Sequence, residues 1–192
     1  MSHKAITREQ IVQLAKEYNL PAPLLLAVYK VEAAGKGFLP DGRPKILFER
    51  HKFAKHTGGI YNVSYPDISN PTWGGYRGGA GEYARFDKAQ KINRNAAIKA
   101  CSWGAGQVLG EHYKMLGFAT PQEMLNAAFE SEYKQFKMML DYIKSRPNLI
   151  AAIKKSPPDW DAFALGYNGS KYRENKYDDK LAAAYEQFSR IA

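Results

Sequence analysis

Apolar positions recur at helical spacing through the first thirty-five residues of the chain and then lose that rhythm. Ile11, Leu14, Ala15 and Tyr18 form one stripe, which predicts an amphipathic first helix. Thr7, with Gln10 three residues on, supplies a capping box to open it. The turn Asn19-Leu20-Pro21 leads into a second helix, Leu24 to Gly35, whose leucines and valines cover almost every side. A helix apolar all round is one buried deep in a core. Pro21 and Pro23 suit its entry, where the first N–H groups lack internal partners, and Gly35 suits its exit.

Beyond Gly35 the stretch Lys36 to Pro44 is rich in turn residues, with Asp41-Gly42 a strong turn dipeptide. Lys45 to Glu49 predicts a short strand and Arg50 to His56 a short helix, so a small hairpin or sheet is expected around residues 40–65. Residues 57–81 are dense in glycine and aromatic side chains and long for a plain connection. Such aromatics suit stacking on a sugar or a base, or they pin the loop to the core. From Glu82 the pattern is helical almost to the end: 82–91, 93–101, 105–116, 121–131, 132–145, 148–155, 159–167 and 178–190. Thr120-Pro121-Gln122-Glu123 marks a helix start, and Arg146-Pro147 and Ser156-Pro157-Pro158 mark breaks. Phe136, Met138, Met139, Leu140 and Ile143 read as core. The expected class is mainly α, an α+β fold with one small sheet.

Composition narrows the setting. A length of 192 residues, 45% hydrophobic and 24% charged, suits one domain with a good-sized core. No run reaches the roughly 18 apolar residues of a membrane span, and Met1 to Glu9 lacks the apolar core of a signal peptide. Stable membrane insertion is therefore not expected. The single Cys101 excludes an internal disulfide. His3, His51, His56 and His112 show no ligand spacing, so neither a metal nor a cofactor is expected. The net charge of +9 calls for an anionic partner. Residues 1–60 carry ten Lys and Arg against five Asp and Glu, whereas residues 156–192 carry five against six. Spread that thinly, the excess fits an anionic bacterial envelope as well as it fits nucleic acid.

Three stretches carry candidate chemistry. Glu32, near the end of the buried helix, would sit among apolar neighbours that disfavour its charged form and raise its pKa. That is the requirement for a general acid at neutral pH; the alternative is a wet helix face or a lysine pair. Ser102-Trp103-Gly104-Ala105-Gly106-Gln107 offers close backbone approach beside two hydrogen-bonding side chains. Ala164-Leu165-Gly166-Tyr167-Asn168-Gly169 ends an apolar helix and is an ordinary helix stop in isolation.

In this order the three stretches resemble the lysozyme-like superfamily, shared by goose-type lysozymes and soluble lytic transglycosylases. More narrowly, the chain is similar over about residues 5–192 to the N-acetylmuramidase family of bacteriophage endolysins and bacterial lysins. The resemblance rests on Glu32-Ala33-x-Gly35, the run from Gly42 to Phe53, Ser102 to Gln107, Tyr167-Asn168-Gly169, and Asn175-x-Tyr177-Asp178-x-Lys180-Leu181-Ala182. Two positions depart from the pattern. Gly169-Ser170-Lys171-Tyr172 stands where Gly-Pro-Gly-Tyr is expected, and Ala33 stands where transglycosylases place a serine.

The resemblance implies hydrolysis of the β-1,4 bond from N-acetylmuramic acid to N-acetylglucosamine in peptidoglycan, with Glu32 as general acid. It further implies that Ser102, Gln107, Tyr167 and Asn168 line the substrate groove. Glu49 is the candidate second carboxylate, its alternative being a salt bridge with Arg50 or Arg43; Asp41 and Glu82 are outsiders. The rival functions are a lytic transglycosylase using the same acid and a basic, non-enzymatic wall- or nucleic-acid-binding protein. Residues 1–192 are expected to form one catalytic domain without a wall-binding module. It would act as a monomer on peptidoglycan strands, not on nucleic acid, and stay in the host cytoplasm until released to the wall.

Overall fold

The structure, a computed structural model, describes residues 5–33 and 37–190. Helix α1 spans Arg8–Tyr18 and opens as the sequence predicts: Thr7 accepts from the Gln10 amide, and Gln10 Oε1 accepts from Thr7 N at 2.9 Å. Its face of Ile11, Leu14 and Ala15 is buried. Tyr18, at the rim, donates its hydroxyl to Asp141 Oδ1 at 2.5 Å. Helix α2, Ala22–Glu32, follows with Pro21 as its cap and Leu24, Leu25, Leu26, Ala27 and Val28 all buried. It ends on Glu32 itself, with Ala33 as the capping residue; the exit assigned to Gly35 lies outside the described residues.

The remaining helices are α3 (Arg50–His56), α4 (Gly81–Ile92), α5 (Arg94–Lys99), α6 (Pro121–Glu130), α7 (Glu132–Lys144), α8 (Pro147–Ile153), α9 (Trp160–Asn168) and α10 (Tyr177–Ser189). Helix α2 packs chiefly against α10, and α9 lies between α8 and α10. Phe136, Met138, Met139, Leu140 and Ile143 of α7 are buried, as their spacing predicts.

The mainly helical class with one small sheet holds, but the sheet is placed differently. Strand β1 (Ile46–Phe48) is its only strand within residues 40–65. Its partners are β2 (Cys101–Trp103) and β3 (Val108–Leu109), in the antiparallel order β1-β2-β3. The helices expected at 93–101 and 105–116 give way accordingly. Helix α5 stops at Lys99, and Gly110–His112 forms only a short 3-10 turn. The cause is tertiary. Ile46 pairs with Trp103 and Phe48 with Cys101, so a strand more than fifty residues upstream satisfies backbone groups that a local helix would otherwise pair. Gly110 fits there because a Cβ would stand 2.1 Å from the Ile98 carbonyl oxygen.

Residues 57–80 form a chain of turns held down by side chains. Phe53 stacks on Tyr61, and Ser69 donates to Asn62. The main anchor is Glu82, fully buried at 0% exposure. Its Oε1 accepts from Arg77 N at 2.5 Å and Gly78 N at 2.9 Å, and its Oε2 pairs with Arg85 Nη1 at 2.8 Å. Arg85 in turn donates to the carbonyls of Phe48 and Asp67. One ion pair thus fastens the middle and the far end of the loop to β1, with both buried charges hydrogen-bonded.

Candidate active site

Glu32 projects from the last turn of α2, where the surrounding apolar wall stops. Burial pushes its carboxyl up from an ordinary 4.5 to about 7, and a hydrogen bond from Asn168 Nδ2 to Oε1 at 3.0 Å partly opposes that rise. Asn168 is the final residue of α9, and Gly169 beyond it turns the chain away with φ near +80°. One turn-end of α9 therefore faces one turn-end of α2.

Tyr167, beside Asn168, sends its hydroxyl to the Gly106 carbonyl at 2.9 Å. Its ring stacks on Phe163 at 5.6 Å, nearly parallel. Burial and then the charge of Glu32 push the Tyr167 phenol well above its usual range, so it stays a neutral donor. The link reaches the turn between β2 and β3, bringing Glu32, Tyr167, Asn168 and Gly106 into one connected patch.

Within that turn Gln107 is exposed, has φ near +46°, and folds its amide back to donate to Gly104 O at 2.8 Å. The glycines around it serve packing. A Cβ on Gly104 would come within 2.6 Å of Gln135, and one on Gly106 within 2.6 Å of Met139. Their smallness lets the turn lie against α7, where the sequence reading gave it to a ligand.

Ser102 pairs through its backbone with Leu47 and Leu109. Cys101 and Trp103 on either side are buried, so alternation along the strand turns Ser102 to the outward sheet face. Glu49 continues β1, its N–H bonding Ala100 O at 2.9 Å, and by the same alternation it shares the face of Leu47 and Ser102. Neither arginine considered for Glu49 pairs with it. Arg43 binds Asp41 at 2.6 Å, and Arg50 donates to the Thr72 and Trp73 carbonyls. Glu49 instead accepts from the Tyr76 hydroxyl at 2.5 Å, with His51 Nδ1 3.4 Å from the same oxygen. Among the described residues no group of three or more His, Cys, Asp and Glu side chains is placed to hold a metal, and no helix is long and apolar enough to cross a membrane.

Residues 21–189 match the family model for N-acetylmuramidases, described as Muramidase. The chain belongs to the N-acetylmuramidase family. It is a muramidase, a glycoside hydrolase that degrades peptidoglycan. Among solved structures it is similar to the crystal structure of the Burkholderia AP3 phage endolysin, at a TM-score of 0.93 and 36% identity. That match covers 99% of this chain and 74% of the other. No curated protein matches it.

Two supports of the candidate site are not apparent from the sequence. Tyr76 lies in the glycine-rich loop, and only folding brings its hydroxyl to Glu49. The other is a pair one turn apart on α7. Glu132 accepts from Gly37 N at 2.6 Å, Tyr29 Oη at 3.0 Å and Ile6 N at 3.2 Å. Gln135 accepts from Ala105 N at 2.8 Å and donates to Ala128 O at 2.7 Å. Gly37 is the first described residue after the α2 exit, and Ala105 lies in the β2–β3 turn, so one turn of α7 holds the backbone of both segments. Glycine at 37 leaves room for this grip, since a Cβ there would stand 1.8 Å from Gln135 Oε1 and displace the side chain that holds Ala105. The departing loop after Asn168 is closed in its own way: Tyr172 is buried and donates its hydroxyl to Asp161, which Arg173 also binds at 2.9 Å.

Proposed function

We propose that Glu32 is the general acid that protonates the glycosidic oxygen between N-acetylmuramic acid and N-acetylglucosamine. The observation that carries this is a carboxyl at a helix end whose burial holds it protonated to about pH 7. Asn168 orients that carboxyl, and Tyr167 keeps the β2–β3 turn in place beside it. Ser102 and Gln107 border the same surface and hold the sugar.

Glu49 is the second carboxylate in this reading. The Tyr76 hydroxyl holds it in place by a hydrogen bond, as a base that must be aimed at a water requires. That arrangement favours hydrolysis over intramolecular attack by the muramic 6-hydroxyl. Mass analysis of the products separates the two, since only hydrolysis adds water to the fragments.

The biological role proposed is that of an endolysin that waits in the host cytoplasm and reaches the wall when another factor opens the inner membrane. The deciding experiment is Glu32→Gln assayed on purified cell wall. Loss of about two to four orders of magnitude in lysis, with normal folding by circular dichroism, is the expected result. Retention of substantial activity removes Glu32 from the chemistry.

A further inference from the structure

The chain has three tryptophans, and two are core residues: Trp103 is 1% exposed and Trp160 8%. Trp73 is 69% exposed. A large apolar ring left in water at the tip of a slack loop would be unremarkable, but this segment is held on both sides of the ring. Thr72 N bonds Asn70 Oδ1 at 2.8 Å, and Arg50 grips the carbonyls of Thr72 at 2.9 Å and Trp73 at 3.4 Å. Gly75, with φ near +77°, lies flat against the Arg50 guanidinium, where a Cβ would stand 3.0 Å from Nη1. On the other side the indole meets the edge of Tyr76, centroids 5.2 Å apart at 81°. Tyr76 is the residue that bonds Glu49. One ring and one hydrogen bond therefore separate the exposed indole from the Glu49 carboxylate.

We infer that Trp73 is a stacking subsite for a pyranose ring of the glycan strand, next to the sugar that faces Glu49. The indole presents a fixed apolar face; the C–H groups on one side of a β-1,4-linked hexosamine are the complementary surface. Ordering the loop before binding removes the entropy that a free tryptophan would lose on contact. The subsite rests on the reading of the Glu32 and Glu49 surface as the substrate surface, and it adds a residue outside the acid–base machinery.

Its test uses Glu32→Gln as a background that binds without cutting. Soluble glycan strands, freed of peptide by an amidase, are titrated while tryptophan emission is followed. With both other tryptophans buried, a blue shift reports on Trp73. Trp73→Ala in the same background should abolish the shift and weaken strand binding roughly tenfold, and Trp73→Tyr should restore most of the affinity. In the active enzyme Trp73→Ala should raise KM far more than it lowers kcat. An unchanged KM in Trp73→Ala, or strand binding that leaves the emission where it was, overturns the subsite. Those results leave the reading of Glu32 intact, because that reading fails only if Glu32→Gln still lyses wall.

Discussion

Asn168 donates its side-chain amide to Glu32 Oε1 at 3.0 Å, joining the last residue of α9 to the last residue of α2. The bond favours the ionised carboxyl and so works against the burial that raises its pKa. Lysis that needs protonated Glu32 should fall as pH rises through about 7. Asn168→Ala removes the opposing influence, so the alkaline limb of the kcat profile should move to higher pH. A limb that stays in place, or moves down, would dissociate Asn168 from the acid.

The same carboxyl sets a stability trend of definite sign. Its pKa is 4.5 in an ordinary setting and about 7 in the fold, so the folded state holds a proton that the unfolded chain has lost between those values. The resulting stability is fully present below about pH 4.5 and is gone above about pH 7. Glu32→Gln should match the parent near about pH 4 and exceed it above about pH 8, by on the order of 3 kcal/mol. Urea melts at the two pH values measure this directly.

For Glu49, the expectation is stereochemical. As a base acting on water it should give inversion, with the two carboxyl groups roughly 6.5–9.5 Å apart. Proton NMR of the first-formed product should show the α-anomer, and Glu49→Gln should lower kcat by about two orders of magnitude or more. Tyr76→Phe deletes only the hydroxyl that holds the carboxylate in place, so it should lower kcat far less than Glu49→Gln does. A β-anomer as first product would assign Glu49 another role.

Glu82→Gln tests the buried anchor of the glycine-rich loop. It would leave Arg85 buried without its counter-charge, a situation that costs about 3–5 kcal/mol. The expected readouts are a lowered denaturant midpoint and proteolytic cutting between residues 57 and 80. An unchanged midpoint would mean that Arg85 finds another partner.

Charge should act at capture. The excess of +9 should attract an anionic envelope over about 10 Å at 0.1 M salt, and less as salt rises. Lysis of whole wall should therefore fall with salt, while turnover of short soluble fragments should hold. Replacing the exposed Lys16 and Lys55 by Gln should reduce the salt dependence without changing fragment turnover.

Much of this layout is legible in local sequence because local chemistry decides it. The Thr7–Gln10 capping box, the proline entry to α2 and the Thr120-Pro121 start each use neighbours within one turn. The sheet is not legible: Cys101–Trp103 becomes a strand only because β1 lies alongside it. The burial of Glu82 is hidden for a related reason: its own partners are close in sequence, but the Arg85 it pairs with reaches the Phe48 carbonyl only once the chain has folded. Within the site, Glu32 stands out as a lone carboxylate on an apolar helix. Tyr76 gives no such signal, because its importance lies in a hydrogen bond to a residue 27 positions away.

The grip of Glu132 and Gln135 on Gly37 and Ala105 bears on how this muramidase should fail on heating. Both holds come from one turn of α7, on the face that also buries Phe136, Met139 and Ile143. The backbone beside the acid and the turn beside Tyr167 cannot loosen separately while that helix stays packed. Residual lysis after a heat pulse should therefore follow the global melting curve, without an earlier phase in which a folded molecule is already dead.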